Sequence, residues 1–269
     1  MTATSLDAAE VVVPSSREEA IEAFGGGDGV TVMGGGTILM PELNYGRLRP
    51  ERVLFLRDAG LRGIQRDASK LTIGATTTLA ELEEAPEPLA SAARGVADYE
   101  IRAQATLGGN LCAPPGGEHP RGDLQGALIA MGARVRSSGA GGERAEPVED
   151  FLSGNGGGRL VLDVELEEPR RAAHVEIRRP HAHAYTILAV CAAETGDGVR
   201  IGVTGAGPTG IRARSVEQAL AVGSGAADAY TKVLEDAQPH DDALASAWYR
   251  ERMLPLLVRR ALDDLGGGG

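Results

Sequence analysis

Cysteine is nearly absent: Cys112 and Cys191 are the two in 269 residues, and they form no CxxC pair. An iron–sulfur cluster needs four ligands, and structural zinc sites need several Cys or His at short spacing, so this chain holds neither by itself. The five histidines show no HExxH or other ligand spacing. Aromatic residues make up 3 %, which leaves no stacking platform for nucleic acid. Cations are also short, 27 Lys and Arg against 38 Asp and Glu, and the net charge of −11 disfavours a phosphate-backbone partner. Long hydrophobic runs are missing: the longest, Ala184 to Ala193, is too short to span a bilayer. The N-terminus shows no charged-then-apolar signal pattern. A soluble cytoplasmic protein of one or two domains is expected.

Glycine, by contrast, is abundant at 38 residues, about twice the usual share. Two clusters stand out. Met33-Gly34-Gly35-Gly36-Thr37 and Ala105-Thr106-Leu107-Gly108-Gly109-Asn110 lie about 70 residues apart, each among apolar segments. Glycine lets a ligand approach the main chain, and successive free N–H groups form an anion-binding concavity. No Walker lysine motif accompanies them. Two such turns suggest a pyrophosphate held from two sides, which points to a dinucleotide such as FAD rather than ATP.

The periodicity predicts a strand at Val11–Val13, then a helix capped by Ser15 with Glu18 or by Ser16 with Glu19, ended by Gly25-Gly26-Gly27. A buried strand, Val30–Met33, runs into the first glycine turn. A short helix at Ile38–Leu43 and a strand at Arg52–Leu56 complete an α/β start. Strands are expected at Gly63–Arg66, Leu71–Gly74, Arg134–Ser137 and Leu160–Leu166. Helices are expected after Thr78 (capping box with Glu81), over Pro88–Val96, and over Leu124–Met131 with Asp123 at its start. Beyond the polar Glu167–Arg171, strands fit His174–Arg178, Val199–Val203 and Ile211–Ala213. Helices fit Ser215–Ala221, Ala226–Glu235 and Ala243–Leu265.

These features, in order, resemble the FAD-binding medium subunit of molybdenum hydroxylases of the xanthine dehydrogenase and carbon monoxide dehydrogenase type. The resemblance runs over about residues 11–263. It rests on Pro14 with Glu18-Glu19-Ala20, Gly34–Thr37, Ile73-Gly74-Ala75-Thr76-Thr77, Ile101-Arg102, Thr106–Asn110, Asp123-Leu124 with the helix Ala127–Met131, Asp150-Phe151, Arg214 with Glu217, and Tyr249-Arg250 with Arg259–Leu262. It implies an α+β fold: an FAD-binding domain of two α+β subdomains, of the vanillyl-alcohol-oxidase type, over residues 1–168. A C-terminal domain over 169–269 would carry a three-stranded antiparallel sheet and a three-helix bundle.

The resemblance also implies FAD, and with two glycine turns and no histidine or cysteine in a recognised flavin-attachment motif it is expected to be non-covalent. Its site would comprise Met33, Gly34, Gly35, Gly36, Thr37, Ile38 and Leu39 at the first turn, and Thr106, Gly108, Gly109 and Asn110 at the second. Asp123 would accept from ribityl hydroxyls, Val161 would lie along the cofactor, and Tyr185 would sit near the isoalloxazine. The bland alternatives are a helix cap for Asp123 and a core tyrosine for Tyr185. Cys112, two residues past Asn110, is either a redox-sensitive thiol or a small buried hydrophobe. The implied partners are a large subunit with the molybdenum cofactor and a small subunit with two [2Fe–2S] clusters, as a dimer of heterotrimers. Electrons would pass through this chain to an external acceptor, while substrate oxidation occurs on a partner.

Departures from the family pattern are the long Gly116–Gly122 stretch with His119 and Arg121, Glu176 where many relatives have lysine, and Ala184 where they have aspartate. A glutamate cannot pair with the cofactor as a lysine does, which leaves FAD affinity and the acceptor open. A free-standing FAD oxidoreductase and a degenerate assembly subunit without FAD are the alternative functions.

Overall fold

The computed structural model describes residues 9–114, 122–154, 158–179, 186–223 and 229–267. Outside them lie the tail 1–8, the loop 115–121 with His119 and Arg121, the stretch 180–185 with His181, His183, Ala184 and Tyr185, and residues 224–228 of the expected helix Ala226–Glu235.

The chain begins with β1 (Glu10–Val12), α1 (Arg17–Phe24), β2 (Val30–Met33), α2 (Leu39–Asn44) and β3 (Arg52–Phe55), whose strands form a parallel sheet in the order β1-β3-β2. Of the two possible caps for α1 the chain uses Ser16, whose hydroxyl accepts from the Glu19 N–H, while the Glu19 carboxylate accepts from Ser15. Gly25, at φ +55°, stops the helix. Ala20 and Phe24, four apart on one face, bury against Leu54, Leu56, Leu160 and Leu162.

The second subdomain is an antiparallel sheet of β4 (Ile64–Asp67), β5 (Lys70–Gly74), β6 (Arg134–Ser138), β7 (Arg144–Pro147) and β8 (Leu160–Glu167), in the order β4-β5-β8-β6-β7. Among the described residues between β5 and β6 run five short helices: α3 (Leu79–Leu82), α4 (Leu89–Arg94), α5 (Tyr99–Arg102), α6 (Leu107–Leu111) and α7 (Gln125–Ala130). α8 (Val148–Ser153) follows β7. Alternate residues of the strands, Leu71 and Ile73 on β5 and Val164 and Leu166 on β8, bury with Leu79, Leu82, Leu89 and Leu128 in one core. The capping box of Thr78 and Glu81 forms in full. The second glycine motif, expected as a turn, is a helix start instead: Thr106 is the N-cap and Gly108-Gly109 lie inside α6.

The C-terminal sheet contains β9 (Arg171–Arg178), β10 (Thr186–Thr195), β11 (Gly198–Thr204) and the two-residue β12 (Ile211–Arg212), in the order β12-β11-β10-β9. Two of the three long strands, β9 and β11, are ones the periodicity selected, and the third is not. The central one is the apolar run, and Ile211–Arg212 is a short edge. The run escapes an alternation test because β10 is buried on both faces. Leu188, Val190 and Ala192 pack in the C-terminal core, while Cys191 and Ala193 point into the core of the second subdomain. α9 (Arg214–Ala221), α10 (Val233–Asp236) and α11 (Ala247–Leu265) cover the far side. Glu149, at the start of α8, accepts from Arg200 at 2.9 Å, Arg214 at 2.8 Å and Arg212 at 3.4 Å, which ties the sheet to the second subdomain. No helix among the described residues is long and apolar enough to cross a membrane.

Candidate functional site

β2 delivers the first glycine turn against the start of α6. A Cβ on Gly35 would lie 1.8 Å from the Gln104 carbonyl oxygen, and one on Gly34 would lie 2.5 Å from Thr106 Oγ1. The two motifs, 70 residues apart in sequence, therefore pack backbone on backbone, and side chains are excluded where they meet. Gly36, at φ +75°, is the member of the turn whose conformation itself favours glycine. Among the described residues, no hydrogen bond engages the N–H groups of Gly34, Gly35, Gly36 or Thr37. Such a row of successive open donors suits an anion.

The second motif differs. Leu107 N–H donates to the Thr77 carbonyl, Gly108 N–H to Ala75, Gly109 N–H to Thr106 Oγ1 and Asn110 N–H to the Thr106 carbonyl. Its donors are spent inside the protein. What Gly108 and Gly109 give is room.

A cleft of about 420 Å3 opens beside the two motifs, within the usual size of a ligand site. Gly34, Thr106, Gly108, Gly109 and Val161 line it. Met33, Gly35, Gly36, Thr37, Ile38 and Leu39 do not. They form the turn next to it, with Gly35 pressed on Gln104 and Thr37-Ile38 leading into α2. Asn110 is buried, and its Oδ1 accepts from the Leu124 N–H at 2.9 Å, so this amide oxygen holds the start of α7. Asp123 neither lines the cleft nor caps α7: Leu124 occupies the cap position without a side-chain bond. Asn110 and Thr204, whose hydroxyl accepts from Gly126 N–H at 3.0 Å, serve the first turn of α7 instead. Tyr185 lies outside the described residues.

The cleft adds residues the sequence did not single out as ligands. Thr76 is 7 % exposed, and its buried Oγ1 has no hydrogen-bond partner among the described residues. A buried hydroxyl without a partner loses about 1–3 kcal/mol, so an orphan beside the glycine motifs fits a polar ligand. Arg159 also lines the cleft, its guanidinium donating to Ser137 Oγ, the Ser137 carbonyl and the Gly142 carbonyl. Gln125 and Thr209 line it as well. Cys112 is solvent-accessible within the recess, yet the protein around it pushes its thiol up to about 12, so it stands there as a neutral thiol at pH 7. The run Thr76-Thr77-Thr78, three hydroxyls between a strand and a helix, was the available sequence signal for Thr76.

Glu176 sits apart from the cleft. Its Oε2 is 3.6 Å from His174 Nε2, its Oε1 is 3.6 Å from Arg178, and His174 Nδ1 is 3.2 Å from Cys191 Sγ. A Cβ on Gly95 would come within 2.7 Å of the same carboxylate, so the group is wedged between β9 and the end of α4. Burial draws the His174 pKa down, but Cys191 and Glu176 outweigh it and raise the value to about 10. A pKa raised above its unfolded value of 6.5 contributes stability in full below pH 6.5, and that contribution is lost as the pH rises through about 10. Urea unfolding at pH 6, 8 and 9.5 should show a loss of up to about 1.4 kcal/mol per pH unit, and His174→Gln should flatten it. An equal slope in both proteins would refute the protonated histidine.

Residues 7–166 match the family described as FAD binding domain in molybdopterin dehydrogenase, and residues 171–265 match the CO dehydrogenase flavoprotein C-terminal domain. The carbon monoxide dehydrogenase medium chain of Hydrogenophaga pseudoflava is 29 % identical, over 94 % of this chain and 96 % of that one. The 6-hydroxypseudooxynicotine dehydrogenase complex subunit alpha of Paenarthrobacter nicotinovorans is also 29 % identical, over 94 % and 93 %. Among solved structures, the carbon monoxide dehydrogenase from Hydrogenophaga pseudoflava that lacks the Mo-pyranopterin moiety superposes with a TM-score of 0.83 at 23 % identity, over 97 % of this chain and 98 % of that one. Quinoline 2-oxidoreductase from Pseudomonas putida 86 gives 0.81 at 22 % identity, over 98 % and 99 %.

Proposed function

Because the chain belongs to the family of FAD-binding subunits of molybdopterin dehydrogenases, we propose that it is the electron-transfer subunit of a multi-subunit molybdenum hydroxylase. The observation that carries this reading is the backbone contact of Gly35 with Gln104, which sets an open row of N–H groups beside a cleft. FAD supplies the ability to move between one-electron and two-electron partners. This chain's residues bind and orient it. The N–H groups of Gly34 to Thr37 meet the diphosphate, while Met33, Ile38 and Leu39 hold the turn in place. Thr106 and Thr76 offer hydroxyls, Gly108 and Gly109 leave their part of the lining bare, and Val161 lines the same cleft. Asn110 acts from behind, through Leu124. The resemblance to the family would give the ribityl contact to Asp123, which does not line the cleft, and the ring contact to Tyr185.

No residue of this chain is assigned to substrate oxidation. Relatives named for carbon monoxide, caffeine and 6-hydroxypseudooxynicotine share this one fold, which supports a substrate site on another chain. The partners are a large molybdenum-cofactor subunit and a small subunit with two [2Fe–2S] clusters, assembled as a dimer of heterotrimers in the cytoplasm. The boundary between the FAD and C-terminal domains falls at residues 168 and 169.

The test is capture of a tagged chain from its own cells, followed by elemental analysis. We expect molybdenum together with about four irons per FAD, since two [2Fe–2S] clusters hold four. Recovery as a lone chain free of both metals would refute the assembly.

A further inference from the structure

Gln125 is the first residue of α7, and it is 2 % exposed. Both ends of its amide are used. Nε2 donates to the Leu111 carbonyl at 2.9 Å, and Oε1 accepts from the Gly210 N–H at 2.6 Å. The side chain occupies a slot between two glycines: a Cβ on Gly122 would lie 2.2 Å from Nε2, and one on Gly210 would lie 2.7 Å from the Gln125 Cβ. Gln125 therefore joins the end of α6, the start of α7 and the loop between β11 and β12 in one contact. That loop carries Thr209, which lines the cofactor cleft together with Gln125. Behind it, Gly207, Pro208 and Gly210 wall a small recess of about 10 Å3, room for one water at most.

We infer that Gln125 is a positioning residue that locks the 207–210 loop, with Thr209, against the FAD cleft and so sets how far water reaches the bound cofactor. The loop touches the FAD-binding part here through a neutral amide, and a buried amide bonded at both ends permits one placement of its partners. Removing it leaves the Gly210 N–H and the Leu111 carbonyl without partners, and both regain partners most readily by admitting water at the cleft. The neighbouring seam is independent of it: Thr204 Oγ1 bonds Gly126 N–H and the Asp123 carbonyl, and α7 is pressed on β11 so closely that a Cβ on Gly202 would lie 1.9 Å from the Gly126 oxygen. The domains thus stay docked when Gln125 is changed, and the loop alone is released.

This inference rests on the FAD reading, so the experiment separates the two. The full chain is loaded with FAD, and the iodide quenching constant of the bound flavin's fluorescence is measured for the native protein, Gln125→Met, Gln125→Ala and Thr204→Val. Methionine fills the slot without hydrogen bonds, and alanine vacates it without crowding either glycine, so the second serves if the first does not fold. We expect the constant to rise about threefold in both Gln125 variants, as a site closed to water becomes an open one, with FAD still bound at one equivalent. Thr204→Val, which loosens the seam but keeps the Gln125 bonds, should stay at the native value. Unchanged quenching in the Gln125 variants, or an equal rise in Thr204→Val, overturns the positioning role and leaves FAD binding intact. A native chain that takes up no flavin overturns both.

Discussion

Gly109→Val leaves the chain folded and strips it of flavin. Gly109 is exposed on the floor of the cleft, and a Cβ there would approach only Thr106 Oγ1, at 3.0 Å. Its N–H already bonds that hydroxyl, and its backbone is helical, so no left-handed conformation is at stake. The two valine methyls project into the space the cofactor takes. FAD affinity should fall at least about 100-fold, which corresponds to about 2.7 kcal/mol. The midpoint of thermal unfolding, measured without flavin, should move by no more than about 3 °C, since an exposed helical Gly→Val exchange is nearly neutral. Gly35→Ala makes the contrast: its Cβ would strike the Gln104 carbonyl at 1.8 Å, so folding and binding should fail together. Stoichiometric FAD in Gly109→Val would remove the second motif from the site.

The second large effect is on stability. Arg250 is completely buried in the C-terminal core, and its guanidinium donates to Asp242 Oδ1 at 2.8 Å, to the Ile187 carbonyl at 2.5 Å and to the Gly205 carbonyl at 2.8 Å. Asp242 in turn accepts from the N–H groups of Leu244 and Ala245. One side chain thus fastens the N-terminal helix turn of α11 to the start of β10 and to the loop after β11. Burial pulls the Arg250 pKa below its usual value, but it remains a cation, and the adjacent carboxylate compensates its charge. Arg250→Met removes the cation, keeps much of the volume and abandons a buried carboxylate with two carbonyls. Breaking one side of such a pair costs about 3–5 kcal/mol. Urea unfolding should show that loss, and the double variant Arg250→Met with Asp242→Asn should recover part of it. A loss below about 1 kcal/mol would mean that water replaces the guanidinium without penalty.

The local rules of the chain were legible in its sequence. Ser16 with Glu19, Thr78 with Glu81, and Gly25 are short-range signals, and each acts as its chemistry dictates. The glycine clusters were legible as places of close approach, and in the structure Gly34 and Gly35 pack directly on Thr106 and Gln104. What escaped depends on partners far along the chain. β10 shows no alternation because two cores claim its two faces. α6 hides as a turn because Gly108 and Gly109 are poor helix formers, and only Thr106 and the bonds to Ala75 and Thr77 make the helix hold. Asp123 looks like a cap, yet Asn110, fourteen residues away from Leu124, and Thr204, on another sheet, take over the start of α7. Gln125 resembles a misplaced polar residue in an apolar helix until Gly210, 85 residues on, is brought against it.

The central claim is that this cleft holds FAD without a covalent bond. The most direct test is a flavin titration of the purified chain followed by acid precipitation, with absorbance read in both fractions. The account predicts saturation at one FAD per chain and complete release of the flavin into the supernatant. A chain that stays colourless at excess FAD, or flavin that remains in the pellet, would contradict it.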